Sequence, residues 1–268
     1  MSALRVWVEG VGLWSPQLAD FAALQGVLGD GMPPPPPARP AAARLPPNER
    51  RRAPESVLLA VEVAGQAVAM SARDAATLAC VFASSHGDQP ITDYMCATLA
   101  QAPAELSPIR FHNSVHNAPV GYWTIASGCH APSTAVAAQR ASFGAGLLEA
   151  ASQALAEQRA VLLVCSDIGG DGPLREVIGC EQAFGCALVL APAAGPSSIA
   201  ALDLQLLAEH VESPLPEPLA GWRRGNPSAA SLALLTLLSQ GSGHCQIAAS
   251  TGLGLQIDVQ HEDRKQAA

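Results

Sequence analysis

GCHAPSTAVAAQRASFGAGLLEA, residues 128–150, decides the reading of this chain. A Gly- and Pro-bounded turn leads into a short apolar run. A helix of small residues then begins, narrow enough to thread a crowded core. Enzymes often present a nucleophile at such a strand-to-helix turn, so the first question is what stands at the start of this helix. The residues there are Ala138, Gln139 and Arg140.

Short apolar runs bounded by Gly, Ser or Pro flank the stretch on both sides: LRVWVEG (4–10), LACVFASS (78–85), AVLLVCSD (160–167) and GCALVLAP (185–192). Their length and continuity predict strands buried on both faces. Ala-rich segments alternate with them, at 55–70, 92–102 and 141–158, and predict helices. The pattern is α/β, with layers packed around one core. Residues 31–49 hold Pro33 to Pro37, Pro40, Pro46 and Pro47, which propagate neither helix nor central strand, so a surface excursion is expected. A second biased region, 192–228, surrounds IAALDLQLL, which reads as an exposed strand or a helix. The tail predicts one helix (228–240) and one strand (244–260).

Composition narrows the function. Of 268 residues, 49% are hydrophobic and only 14% charged, so part of an apolar surface is expected to lie under another subunit. A formal net charge of −8 argues against neutralising nucleic-acid phosphates, and the run Arg50, Arg51, Arg52 reads as a solvated helix start. Seven scattered cysteines, an odd number, imply reduced thiols rather than a disulfide framework. No stretch reaches the roughly 20 apolar residues that span a bilayer, and the expected location is the cytoplasm.

Taken in order, LRVWVEGVGLWSP, LACVFASSHGD, PIRFHNSVHNAPVGYWTIASGCHAPSTAVAAQRASFGAGLLEA and VLLVCSDIGG resemble the N-terminal half of a β-ketoacyl synthase of the thiolase superfamily. Asn117, Gly121, Gly128 and Pro132 take places of the family block, with Ala131 where its turn has a second glycine. The resemblance covers about residues 3–192. It implies a truncated thiolase-like fold, with a mixed β-sheet and a buried central helix. It also implies one ketosynthase-like domain over 1–268, in which 193–227 is a Pro-rich connection and a helix and strand in 228–268 complete the sheet.

Carried forward without gaps from Pro132, the family's nucleophilic cysteine falls on Arg140. A guanidinium stays protonated and cannot form a thioester. The family's two C-terminal histidine loops have no counterpart either: His210 and His244 sit in unrelated settings. The chain therefore resembles the chain length factors, non-catalytic partners of active ketosynthases, and in particular the short subunits of bacterial aryl polyene (xanthomonadin-type) clusters. Such a partner role in polyketide or fatty-acid-type biosynthesis implies a heterodimer with an active ketosynthase, with acyl carrier protein as a further possible partner. By the same resemblance Arg110, Phe111, His112, Asn113, Ser114, Val115, His116 and Asn117 would line the interface loop and the partner's acyl tunnel.

Other readings compete. A divergent acyltransferase or decarboxylase acting on carrier-protein thioesters would use Cys129, His112 or His116, and a purely structural adaptor would touch no product. Cys129 reads as a structural thiol in the turn before the strand. His112 and His116 are spaced i, i+4, but no third ligand accompanies them and Asn117-Ala118-Pro119 starts a helix only after them. Ser142 lacks a Gly-x-Ser-x-Gly elbow and reads as a capping or packing residue. The glycines of DIGGDG (167–172) read as a loop. Neither a metal nor a cofactor is called for.

Overall fold

A computed structural model describes residues 3–29, 31, 36–170 and 172–261. Its strands are β1 (Leu4–Trp14), β2 (Ala79–Ala83), β3 (Ser133–Val136), β4 (Val161–Asp167), β5 (Phe184–Ala191), β6 (Ala200–Leu207), β7 (Gly243–Ala248) and β8 (Gly254–His261). They form one eight-stranded sheet in the order β3-β2-β4-β5-β1-β6-β8-β7. β2 runs parallel to β3 and β4, and the other pairings are antiparallel. The sheet is mixed, as the thiolase-like resemblance implies.

The helices are α1 (Phe21–Leu28), α2 (Pro47–Arg52), α3 (Glu55–Ser71), α4 (Gln89–Gln101), α5 (Pro108–Asn113), α6 (Ala118–Ser127), α7 (Ser142–Glu157), α8 (Leu174–Ile178), α9 (Leu219–Gly225) and α10 (Leu232–Gln240). α7, α1 and α10 share one core with Val81, Leu163, Leu188 and Val11, while α3 and α6 share a second with Cys80, Phe82, Leu162, Val164 and Val189. Alternate residues of the same strand thus serve opposite layers. This explains why β2, β4 and β5 are buried at every position, and why their sequences are unbroken apolar runs.

The other end of the sheet is different. Leu202 and Leu204, Ile257 and Val259, and Cys245 and Ile247 face the α7 core, and the residues between them, such as Asp203, Gln256, Asp258 and Gln246, are only partly buried. One face of β6, β8 and β7 is therefore wet, which is the alternation expected of antiparallel strands covered on one side. Of the two readings of IAALDLQLL the strand is the one the structure shows: it is β6, hydrogen-bonded between β1 and β8 and exposed on one face only. The segment 244–260 is two strands rather than one. Ala249 and Ser250 both donate to Leu253 O, closing a hairpin at Ser250-Thr251-Gly252, a turn signal inside the apolar alternation. The region 193–227 contributes β6 and α9 in addition to connecting segments.

A bulge between Val8 and Gly10 shifts the β1 register. Without it, Val6 and Val8 would face one layer while Val11 and Leu13 faced the other; with it, all four enter the α7 core. Gly12 is then turned to α3, so close that a Cβ would stand 2.0 Å from Val63 O. The expected helices at 55–70, 92–102 and 141–158 correspond to α3, α4 and α7, with α4 starting earlier because Asp88 caps it and Pro90 occupies its first turn. In the Pro-rich excursion, Pro33, Pro34 and Pro35 lie outside the described residues. Of its described remainder, 31 and 36–46 carry no helix or strand, whereas 47–49 open α2 against expectation, Pro47 taking the first helical position where no N–H is needed. Ala42 and Leu45 pack the segment onto the α3 core.

α7 is buried from both sides, because the sheet curls until β7 reaches it. At Gly144 a Cβ would stand 2.1 Å from Ala248 O, at the end of β7. Replacing Gly144 by Ala must push helix and hairpin apart, and the expected loss is about 1–3 kcal/mol of unfolding free energy. Denaturant unfolding of the variant measures it.

Candidate functional site

The parallel strands β2, β3 and β4 end side by side, and ligand crevices of α/β sheets open at such carboxyl ends. Here they deliver Ser84 and Ser85, Ala137, and Asp167. The carboxylate of Asp167, 4% exposed, organises this end. One oxygen accepts from Ser84 Oγ, Ser85 N and Ser85 Oγ, each at 2.8 Å, and the other from Ser228 Oγ. Asn226 Nδ2 donates to Asp167 O at 3.0 Å and to Gln182 O at 2.7 Å. A buried charge needs such saturation to be tolerated. Asp167, Asn226 and Ser228 escape sequence reading, since DIGG reads only as a loop; the pointer was an acidic residue closing a run of buried apolar ones.

Above this network the chain turns from β3 into α7. Gln139 takes a positive φ of 52°, a strained value for a residue with a side chain. Ser142 staples the turn: its Oγ donates to Gln139 O at 2.7 Å and accepts from Ala138 N at 2.9 Å. Ser142 is only 1% exposed and caps no N–H of α7, so of the two roles its sequence context allows, packing inside the turn is the one it takes. Arg140 follows in a single 3-10 turn, Gln139–Ala141. Its guanidinium points outward, where Nη1 donates to Gly179 O at 3.4 Å and Nη2 to Arg223 O at 3.0 Å and Arg224 O at 3.3 Å. These carbonyls close the C-terminal ends of α8 and α9. They offset the cost of a cation at the start of α7, because carbonyl ends of helices carry partial negative charge.

Cys165 Sγ, 3.2 Å from Ser228 Oγ, and Cys180 Sγ, 3.4 Å from Asn226 Nδ2, border this network, and Cys129 lies elsewhere. Cys129 Sγ donates to Leu78 O at 3.2 Å, at the residue that precedes β2, whereas Ser84 and His116 sit at the far end of that strand. Five residues of strand separate the two, about 17 Å. Burial pushes the thiols of Cys80, Cys180, Cys186 and Cys245 from 9.0 up to about 12. Cys165, wholly enclosed beside Cys186 and Asp167, is also pushed up. A nucleophilic cysteine needs the opposite shift.

The segment carrying residues 110–117 is a helix and a bend rather than a loop. Ser107 caps α5 and Pro108 occupies its first position, a start signal present in the sequence. Asn113 is buried and accepts from Tyr122 Oη at 3.2 Å. His116 Nε2 lies 3.2 Å from Ser84 O, so that nitrogen carries the proton. Arg110 lies 4.0 Å over the Tyr94 ring, which ties α5 to α4. Phe111 and Val115 are more than half exposed, as are Leu99, Ile109 and Ile125. His112, Val115 and Asn117, with Leu45, Tyr122 and Ile125, line a groove of about 460 Å³ between α2 and α6. His112 and His116 therefore face different surroundings, and among the described residues no three His, Cys, Asp or Glu side chains converge.

With this geometry in place the chain can be compared with known proteins. The family model for the β-ketoacyl synthase N-terminal domain matches residues 29–252. The chain belongs to this family. Three solved structures align with nearly all of this ketosynthase-like chain. A ketosynthase (ApeO) in complex with its chain length factor (ApeC), from Xenorhabdus doucetiae, gives a TM-score of 0.71 at 23% identity, covering 95% of this chain and 99% of that one. AntDE:AntF, a type II PKS acyl-carrier protein in complex with its ketosynthase bound to the hexaketide, gives 0.72 at 13%, covering 98% and 100%. The ishigamide ketosynthase/chain length factor gives 0.69 at 16%, covering 97% and 99%. At these identities the likeness is one of fold. Among curated proteins no match is found. No helix among the described residues is long and apolar enough to cross a membrane.

Two outcomes follow from the chemistry of this site. Asp167→Ala strands three or more buried donors, and its expected cost is about 3 kcal/mol of stability, read by denaturant unfolding. The raised thiols also set a pH dependence. Unfolded cysteines ionise near 9.0 and the buried ones near 12, so between these values the folded state holds more protons. Stability falls as pH rises through that window. At pH 8, iodoacetamide should alkylate exposed Cys96 rapidly and the buried thiols only after unfolding, as peptide mass spectrometry reads.

Proposed function

We propose that this chain is a non-catalytic chain length factor, which pairs with an active β-ketoacyl synthase and shapes the tunnel in which the partner extends an acyl or polyene chain. The observation that carries the reading is the turn into α7, where a ketosynthase needs its thiolate. This chain has a strained Gln139 followed by Arg140, whose guanidinium is spent on three backbone carbonyls. Neither group forms a thioester. In this reading the nucleophile and its assisting histidines belong to the partner. The whole chain acts as a single ketosynthase-like unit, working with its partner in the cytoplasm.

A partner surface is available. β3 ends the sheet, and its outer side has no strand beside it among the described residues. Its exposed side chains are Ser133 and Ala135, small and uncharged. Natural edge strands normally carry charges, prolines or bulges that block pairing. The opposite edge is covered, since Ser213 brackets Gln246 of β7 through its backbone N and its hydroxyl. Close in sequence to β3, the α5–α6 region exposes Phe111, Val115 and Ile125 around the apolar groove. This supports Arg110 to Asn117 as the segment that faces the partner and its tunnel. ApeO in complex with ApeC is a solved instance of a ketosynthase with its chain length factor. The aryl polyene pathway as the setting rests on the resemblance of the short chain, and acyl carrier protein is a further candidate partner.

Co-expression with an active ketosynthase from the same genome tests the pairing: the two should co-purify in equal amounts. Ala135→Pro removes a backbone donor from the edge and is expected to weaken the complex by about tenfold or more. Val115→Trp and Phe111→Trp are expected to shorten the partner's product while leaving the complex intact. Unchanged product length would favour a purely structural adaptor. An acyl adduct found on the purified chain by mass spectrometry after incubation with acyl thioesters would overturn the non-catalytic reading.

A further inference from the structure

α4 and α5 form an arm that leans only lightly on the body. Gln89 and Ile91 are the buried residues of α4, and Asn113 is the one buried residue of α5. Beyond α5 and the turn Pro103–Glu105, the element that α4 packs against most is α8, while Asp88 at its start accepts from Ser56 Oγ of α3 at 2.6 Å. The contact at α8 is close. A Cβ on Gly172 would stand 2.1 Å from Asp93 Oδ2, and that oxygen is buried with no hydrogen-bond partner among the described residues. The backbone of residue 172 therefore rests directly on the first turns of the arm.

The other end of the same segment reaches the turn into α7. Gly179 caps α8 with a positive φ of 64°, and its carbonyl receives Arg140 Nη1. The second terminal nitrogen of Arg140 is held by Arg223 and Arg224 at the end of α9, which packs on the Pro227–Ser231 turn of the Asp167 network. Arg140 thus pins the far end of the segment to the rigid body.

We propose that Gly172–Gly179, with α8 at its centre, is a strut that sets the position of the α4–α5 arm from the turn into α7, so that Arg140 is a positioning residue for a surface it does not touch. That the arm faces a ketosynthase rests on the function proposed above; the mechanical connection does not. The position of the lost nucleophile has acquired a second use. It locks the strut, and through the strut it fixes where Phe111 and Val115 stand.

Amide hydrogen exchange on the full chain, in the assembly in which it purifies, tests this. Arg140→Ala is expected to speed exchange about fivefold or more in 172–179 and also in α4 and α5, which Arg140 does not contact, with β1 and β5 unchanged. Arg140→Lys, which keeps one donor for Gly179 O, should restore most of the protection and serves where the alanine variant fails to fold. Gly172→Ala should loosen the arm from the strut's other end, and combining it with Arg140→Ala should add little, because the connection is already cut. Loosening confined to 172–179 and 219–225 with the arm unchanged, or fully additive effects of the two variants on arm exchange, overturns the proposal. A failure to co-purify with a ketosynthase would sink the partner reading and leave this result standing, and a normal complex with an unaffected arm would do the reverse.

Discussion

A single buried carboxylate holds the functional end of this molecule together. Asp167 closes β4, and its two oxygens gather donors from the end of β2 and from the turn before α10, segments distant in sequence. Ser84, fixed by Asp167, in turn accepts from His116 Nε2, and its carbonyl lies 3.3 Å from Ser142 Oγ, whose proton goes to Gln139 O. The start of α7 and the bend after α5 are therefore referenced to one charge. Isolated in a dry interior the carboxylate would cost several kcal/mol. Saturated with hydrogen bonds, it fixes three pieces of chain in one arrangement.

The sheet divides the labour. β2, β4, β5 and most of β1, buried on both faces, supply the rigid scaffold, and β3 joins them at the crevice. The antiparallel half of the sheet, wet on one face, curls around to enclose α7 from the other side. The enclosure works because Gly144 lets β7 approach the helix backbone, and because the β1 bulge keeps all four valine and leucine side chains on the α7 side. A chain of this length can in this way bury a central helix using its own last two strands and α10.

Much of this was legible in the sequence. Strands covered on both faces announce themselves as unbroken apolar runs, so β1, β2, β4 and β5 were readable, as were the Ala-rich helices between them. The one-sided strands were harder. β6 lay in Pro-rich surroundings that hid its Leu202-Asp203-Leu204-Gln205 alternation, and the hairpin of β7 and β8 merged into one strand because its turn sits between apolar stretches. α5 was lost because its pattern is short and its apolar residues remain exposed, leaving only Ser107-Pro108 as a sign. At the functional end, Arg140 was legible only through the family resemblance, which places the nucleophile's position on it when carried forward from Pro132. The strain fell one position earlier, on Gln139, where backbone geometry rather than composition decides. Asp167 depends on partners more than 55 residues away in each direction, a relation that no local pattern carries.

The bare edge of β3 bears on how much of this protein a cell can hold. Four residues with small side chains and an open row of backbone donors and acceptors invite any extended segment, from a sister copy or from an unfolding neighbour. Copies made in excess of whatever covers that edge would clump or be cleared by quality-control proteases. Its abundance would then be set by the supply of the covering molecule rather than by its own rate of synthesis, which favours making the two from one transcript.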